Sequence, residues 1–117
     1  KFYFEPARYP GINIIEPQSD WSSYSKLHFR VYSPYDKKTV MMLRIHDYWH
    51  DQDSLDRYNR RLEIAPGLND ITLELSDIKK GPARRQLDMC NIAGMILFLN
   101  NIEERHSYEI SNPYLEQ

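Results

Sequence analysis

Several stretches of the chain alternate apolar and polar residues with a period of two, and this pattern restricts the fold most. In "KLHFRVYS" Leu27, Phe29 and Val31 share one face, while His28, Arg30 and Tyr32 share the other. "TVMMLRIHD" repeats the scheme with Met41, Leu43 and Ile45 against Val40, Met42, Arg44 and His46. "RYNRRLEI" sets Leu62 and Ile64 opposite Asn59, Arg61 and Glu63, and "DITLELSDI" alternates through Ile71, Leu73 and Leu75. Turn signals separate these runs: "PYDKK" with Pro and Asp, and "APGLN" with Pro-Gly. No stretch has the periodicity of a long amphipathic helix; "SDIKKGP" holds at most one helical turn, capped by Ser76 or Asp77 and stopped by Gly81 and Pro82.

Strands with one apolar face need a second apolar face to cover them. Two antiparallel sheets stacked about 10 Å apart meet that need. The expected fold is therefore all-β, an antiparallel β-sandwich of about eight short strands, preferred over a closed barrel. "NIAGMILFLN" is apolar at both parities and reads as a strand buried on both faces. "HSYEISNPYLE" reads as a last strand, with Pro113 arguing for an edge position or a bulge. Residues 1–10, "KFYFEPARYP", carry two prolines and read as an N-terminal arm or the tail of a linker whose aromatics could also cap one end of the core, which leaves residues 11–117 as one domain. The chain starts at Lys1 without Met, so we expect a fragment of a longer protein.

The net charge of −2 gives no basic excess, so nucleic acid is not the expected partner. There is no signal-peptide pattern and no apolar run near ~20 residues, so this segment is not expected to insert into a membrane. The single Cys90 rules out an internal disulfide and reads as a small buried residue.

"LRIHDYWHDQDSLDRYNRR" concentrates the reactive side chains. His46 and His50 are four apart, but His46 ends a strand, so the helical meaning of that spacing is lost, and no HExxH occurs. Asp51, Asp53 and Asp56 lack the Gly and distal Glu of an EF-hand loop and read as a solvated acidic loop. Asp47, His50 and Ser54 could form a triad on paper, but no nucleophile elbow or glycine-rich oxyanion hole accompanies them. Enzyme activity is therefore not expected. Ligand reading is the third option. If the alternating strands are neighbours, one sheet face carries Arg30, Tyr32, Arg44, His46 and Arg61, with Trp49 on the rim. Arg and His would donate hydrogen bonds and Tyr and Trp would stack on sugar C–H faces. Extra arginines would suit an acidic sugar. The competing reading of these residues is an ordinary polar sheet face, with Asp47 pairing Arg57 to fix the loop.

One resemblance follows from the succession "DWSSYSKLHFRVYSP", "LRIHD", "DRYNRRLEIAPGLNDITLELSDI" and "RQLDMCNIAGMILFL". With Trp21, Arg44-Ile45-x-Asp47, Arg57, Pro66-Gly67-x-Asn69 and Leu75-x-Asp77-Ile78 in that order, residues 11–115 resemble galactose-binding-like jelly-roll domains of bacterial carbohydrate-binding modules. The resemblance implies a non-catalytic module of a larger, extracytoplasmic protein, tethered to other domains and binding carbohydrate. A protein-interaction or assembly domain using the same face is the alternative it implies. Members often end in a strand of the type I-D-x-I-x-L whose Asp helps hold a structural calcium. Here "YEISNPYLE" puts Ser111 and Asn112 at that place, so no cofactor is expected, calcium being the one candidate.

Overall fold

The computed structural model describes residues 1–51 and 55–117. Asp53 and Ser54, which the acidic-loop and triad readings invoke, lie outside the described residues. The chain forms two antiparallel sheets packed face to face, so the β-sandwich is the observed fold. The first sheet contains β1 (Phe2–Phe4), β8 (His106–Ile110), β3 (Lys26–Ser33) and β6 (Gly67–Glu74) in that order, with β9 (Tyr114–Glu116) also pairing β3. The second runs β2 (Gly11–Ile14), β7 (Ile92–Phe98), β4 (Thr39–Asp47), β5 (Tyr58–Ile64). One short helix, α1 (Leu75–Lys79), covers an end of the core with Leu75 and Ile78. No described helix is long and apolar enough to cross a membrane.

The alternation places side chains as expected. Leu27, Phe29 and Val31 of β3 face Met41, Leu43 and Ile45 of β4 across one core, joined by Leu62, Ile64 and Leu97. Trp21 and Tyr108 are its largest fully buried members. Residues 1–10 are part of this sandwich and not a linker. β1 pairs with β8, Phe4 is in the core edge-on to Tyr108, and Ala7 bridges to Ile102. A Phe-x-Phe strand with one buried ring finds an unpaired sheet edge and closes it.

Other local expectations need correction. The C-terminal stretch is two strands, because Pro113 has no N–H to extend the ladder. β8 pairs with Val31 and Tyr32, β9 pairs with Lys26 to His28, and Ser111 bonds the Arg30 backbone in the gap. Helix α1 begins earlier than expected, at Leu75, with Glu74 in place of Ser76 or Asp77 at the cap position and no side-chain cap bond. The reason is that the Leu75 N–H donates to the Ser25 carbonyl, so β6 runs straight into the helix. Cys90 is exposed, in the loop before β7.

The "APGLN" turn shows how a short motif fixes register. Gly67 takes φ 86°, a conformation that side chains disfavour. Asn69 then closes the turn: its Oδ1 accepts from the Ala65 N–H at 2.9 Å, and its Nδ2 donates to the carbonyls of Ala65 (2.8 Å), Gly67 (3.1 Å) and Val31 (3.2 Å). Asn69→Ala strips all four bonds and is expected to lower stability by about 2 kcal/mol, read by urea unfolding. A change below about 0.5 kcal/mol would show that the turn holds its shape without the side chain.

Candidate functional site

The outward face of the β2–β7–β4–β5 sheet carries a groove of about 430 Å³. Register aligns its residues in rows across the strands. Gly11, Phe98, Met42 and Arg61 form one row; Asn13, Ile96, Arg44 and Asn59 form the next. Gly94 and His46 pair one step further along. The groove is lined by Tyr9, Gly11 and Asn13 from β2 and its approach, by Ile96 and Phe98 of β7, by Arg44 of β4, and by Arg57 before β5. A second hollow of about 470 Å³, lined by Met42, Arg61 and His106 among others, adjoins it at the Met42–Phe98 pair.

This explains the apolar residues at both parities of "NIAGMILFLN". In a two-layer sandwich the opposite sheet covers only one face. Ile92, Met95 and Leu97 take that place; Ile96 and Phe98 are half-covered and floor the groove. The strand is therefore not buried on both faces. An apolar outer face on a central strand was the sequence signal for the groove. Tyr9, Asn13, Ile96, Phe98 and Arg57 were not among the candidate site residues. Tyr9 was hidden in a segment read as a linker.

Arg44 sits in the middle of this face. Its Nε is buried and has no hydrogen-bond partner, and among the described residues Arg44 makes no salt bridge. His46 lies against Gly94, where any side chain would collide with its imidazole, so glycine opens the space the ring occupies. Its Nδ1 is also buried without a partner. Burial, with the nearby His50 and Arg44 charges, holds the His46 pKa below its usual value. Arg61 pairs with Glu63 at 2.9 Å, and Lys38 takes the other oxygen of that carboxylate at 3.3 Å.

The structure therefore brings Arg44, His46 and Arg61 onto one sheet face and separates the rest of the expected site. β3 belongs to the other sheet, so Arg30 and Tyr32 point out of the opposite side of the molecule. There Arg30 is held by Asp70 at 2.7 Å. Trp49 belongs to neither face. It lies in the loop after β4, donates Nε1–H to Asp88 at 2.9 Å, and lines a small hollow with Arg84, Arg85 and Asp56.

That loop is organised by an ion-pair cluster. Arg85 grips the fully buried Asp47 with both ends of its guanidinium (2.6 and 2.8 Å) and Asp56 with Nε and Nη2 (2.7 and 3.1 Å). Asp47, paired with Arg85 and not with Arg57 as the competing reading had it, also accepts from the backbone N–H of Asp88 and Trp49. Burial opposes the Asp47 charge, but those bonds and the Arg85 charge outweigh it and hold its pKa below the usual value. His50 packs its Nδ1 on the Asp56 carbonyl at 2.8 Å. The pieces of the hypothetical triad are thus committed elsewhere: Asp47 to Arg85 and His50 to Asp56. His50, Asp51 and Asp56 do lie close enough to share an ion, yet the Arg85 cation already occupies the Asp56 carboxylate.

No protein-family model and no curated protein matches the chain. Solved structures do. An agarase matches 96% of the chain with TM-score 0.72 at 20% identity, and an exo-β-agarase matches 96% with TM-score 0.70 at 18%. The chain spans only about a fifth of those agarase chains, 20% and 18%. A family 11 carbohydrate-binding module from Clostridium thermocellum, solved with a β-1,3-1,4-mixed-linked tetrasaccharide, matches 97% of this chain and 71% of its own, with TM-score 0.66 at 18% identity. At such identities the likeness establishes the fold, the jelly-roll sandwich of carbohydrate-binding modules.

Proposed function

We propose that the chain is a non-catalytic carbohydrate-binding module of a larger, extracytoplasmic protein, and that it reads glycan with the groove on the β2–β7–β4–β5 face. The observation that carries this reading is the groove floor. Ile96 and Phe98 leave apolar surface uncovered at the centre of a sheet, flanked by directed polar groups from Asn13, Arg44 and Arg57. Sugars have the same mixture: C–H faces that stack on apolar planes and hydroxyls that need oriented partners. The hollow at Met42 and Arg61 continues the surface along β4, which suits a chain rather than a single sugar unit. Solved modules of this fold support the reading, since one of them holds a tetrasaccharide.

Sedimentation with insoluble polysaccharides and affinity electrophoresis in soluble ones test it. Tyr9 is 59% exposed at the groove, and Tyr32 is 44% exposed on the opposite sheet. Tyr9→Ala is expected to weaken glycan binding about tenfold, and Tyr32→Ala to change it less than about twofold. The reverse order would move the site to the other sheet. A blank result on every polysaccharide, with capture of a protein through the same groove, would favour the docking alternative.

A further inference from the structure

We propose that the groove takes an anionic saccharide, with a sugar-borne carboxylate or sulfate held by the Arg44 guanidinium; this rests on the carbohydrate-binding reading above. The first argument is the lining. Among the described residues it contains Arg44 and Arg57, the latter already bonded to Asn59, and no carboxylate. A neutral sugar hydroxyl both donates and accepts, so its site needs acceptors as well as donors. Among the described lining side chains the acceptors are the Asn13 amide and the Tyr9 hydroxyl, while the guanidiniums only donate. An oxyanion only accepts, so it matches a donor-rich wall.

The second argument is where the protein neutralises its cations. On the opposite sheet Arg30 is held by Asp70 at 2.7 Å and His28 by Glu116 at 2.6 Å. Arg85 is held by two aspartates. Arg44 has no such partner among the described residues, and its buried Nε is left without a hydrogen bond. Beside it, Glu63 serves Lys38 and Arg61 together, so two cations there share one carboxylate, while Glu16 and Asp47 act further along the face, at His46. This excess stands on a chain whose net charge is −2, so it is local and not a general basicity. A half-buried guanidinium without a counter-ion leaves a cost that a ligand anion would remove.

Affinity electrophoresis against polygalacturonate, a sulfated galactan, agarose and a mixed-linkage β-glucan tests the proposal. At least one anionic polymer is expected to bind about tenfold tighter than either neutral one, with affinity falling severalfold from about 0.05 M to about 0.5 M salt. Arg44→Gln should remove about tenfold of that affinity, and Arg30→Gln on the other face should not. A circular dichroism spectrum and melting midpoint like those of the parent establish that the Arg44 variant is folded; if it is not, Arg44→Lys, which keeps the charge but loses the fork, should lose part of the affinity. Preference for polygalacturonate assigns the carboxylate, and preference for the sulfated galactan assigns the sulfate. Equal or tighter binding of a neutral polymer, unchanged in Arg44→Gln, would overturn the anionic reading and leave the carbohydrate site standing. Binding to none of the four would overturn both.

Discussion

Arg85→Met is expected to lower the stability of the domain by about 3–5 kcal/mol, measured by urea unfolding near pH 7. The reason is asymmetry. The Asp47 side chain is fully buried, and Arg85 supplies both of its charged bonds. Removing one member of a buried pair leaves the other charged, dehydrated and unopposed, which costs far more than the pair contributes. Asp56 loses its guanidinium contacts as well. The double variant Asp47→Leu with Arg85→Met should therefore be more stable than Arg85→Met alone, because no charge is stranded. The pH dependence has a defined sign. In the parent, the Asp47 pKa lies below its unfolded value of about 3.9, so its contribution is present above that pH and is lost as pH falls through the folded value. In Arg85→Met, burial without the cation raises the Asp47 pKa, so protonation relieves the variant. The two stabilities should converge below about pH 4. A constant gap from pH 7 down to about pH 3 would place the Arg85 contribution in packing instead of charge.

The same residues show where sequence was informative. Which face each strand residue occupies was readable on β3, β4 and β5, because a period of two needs only local information. Leu27, Phe29 and Val31, Met41, Leu43 and Ile45, and Leu62 and Ile64 all point inward as read. Which strand lies beside which was not readable. The "PYDKK" connection looks like a hairpin turn but carries the chain from one sheet to the other, so β3 and β4 are consecutive and unpaired. Nothing in the alternation distinguishes those cases, and the grouping of Arg30 and Tyr32 with Arg44 and His46 depended on that choice. Asp47 failed for a related reason. Arg57 is ten residues away in the chain, while the true partner, Arg85, arrives from a loop 38 residues away. The groove was half legible, since "IAGMILF" signals a second apolar face, but period alone does not say whether protein or ligand covers it.

Trp21→Ala is expected to cost about 3–5 kcal/mol, enough to leave a domain of ordinary stability marginal at 37 °C. Trp21 is fully buried. Its Nε1–H donates to the Gln18 carbonyl at 2.6 Å, its backbone N–H to Met89 at 2.7 Å, and its carbonyl accepts from Tyr24 at 3.1 Å. It therefore ties the loop before β3 to the loop before β7 across one end of the core. Trp49 is the opposite case: 63% exposed and held by one side-chain bond to Asp88. Trp49→Ala should cost less than about 1 kcal/mol. In a protein proposed to bind sugar, both tryptophans invite the role of stacking platform, and stability and binding separate the possibilities. Trp21→Phe keeps an aromatic in the core and should remain folded at reduced stability, with glycan affinity per folded molecule unchanged. If that variant folds and yet loses affinity by tenfold or more, the core residue is coupled to the groove and the site is larger than Tyr9, Arg44 and Phe98. If Trp49→Ala loses affinity to the same degree with stability intact, the ligand reaches past His46 to the loop end, and the Arg85 cluster becomes the support of a second contact point.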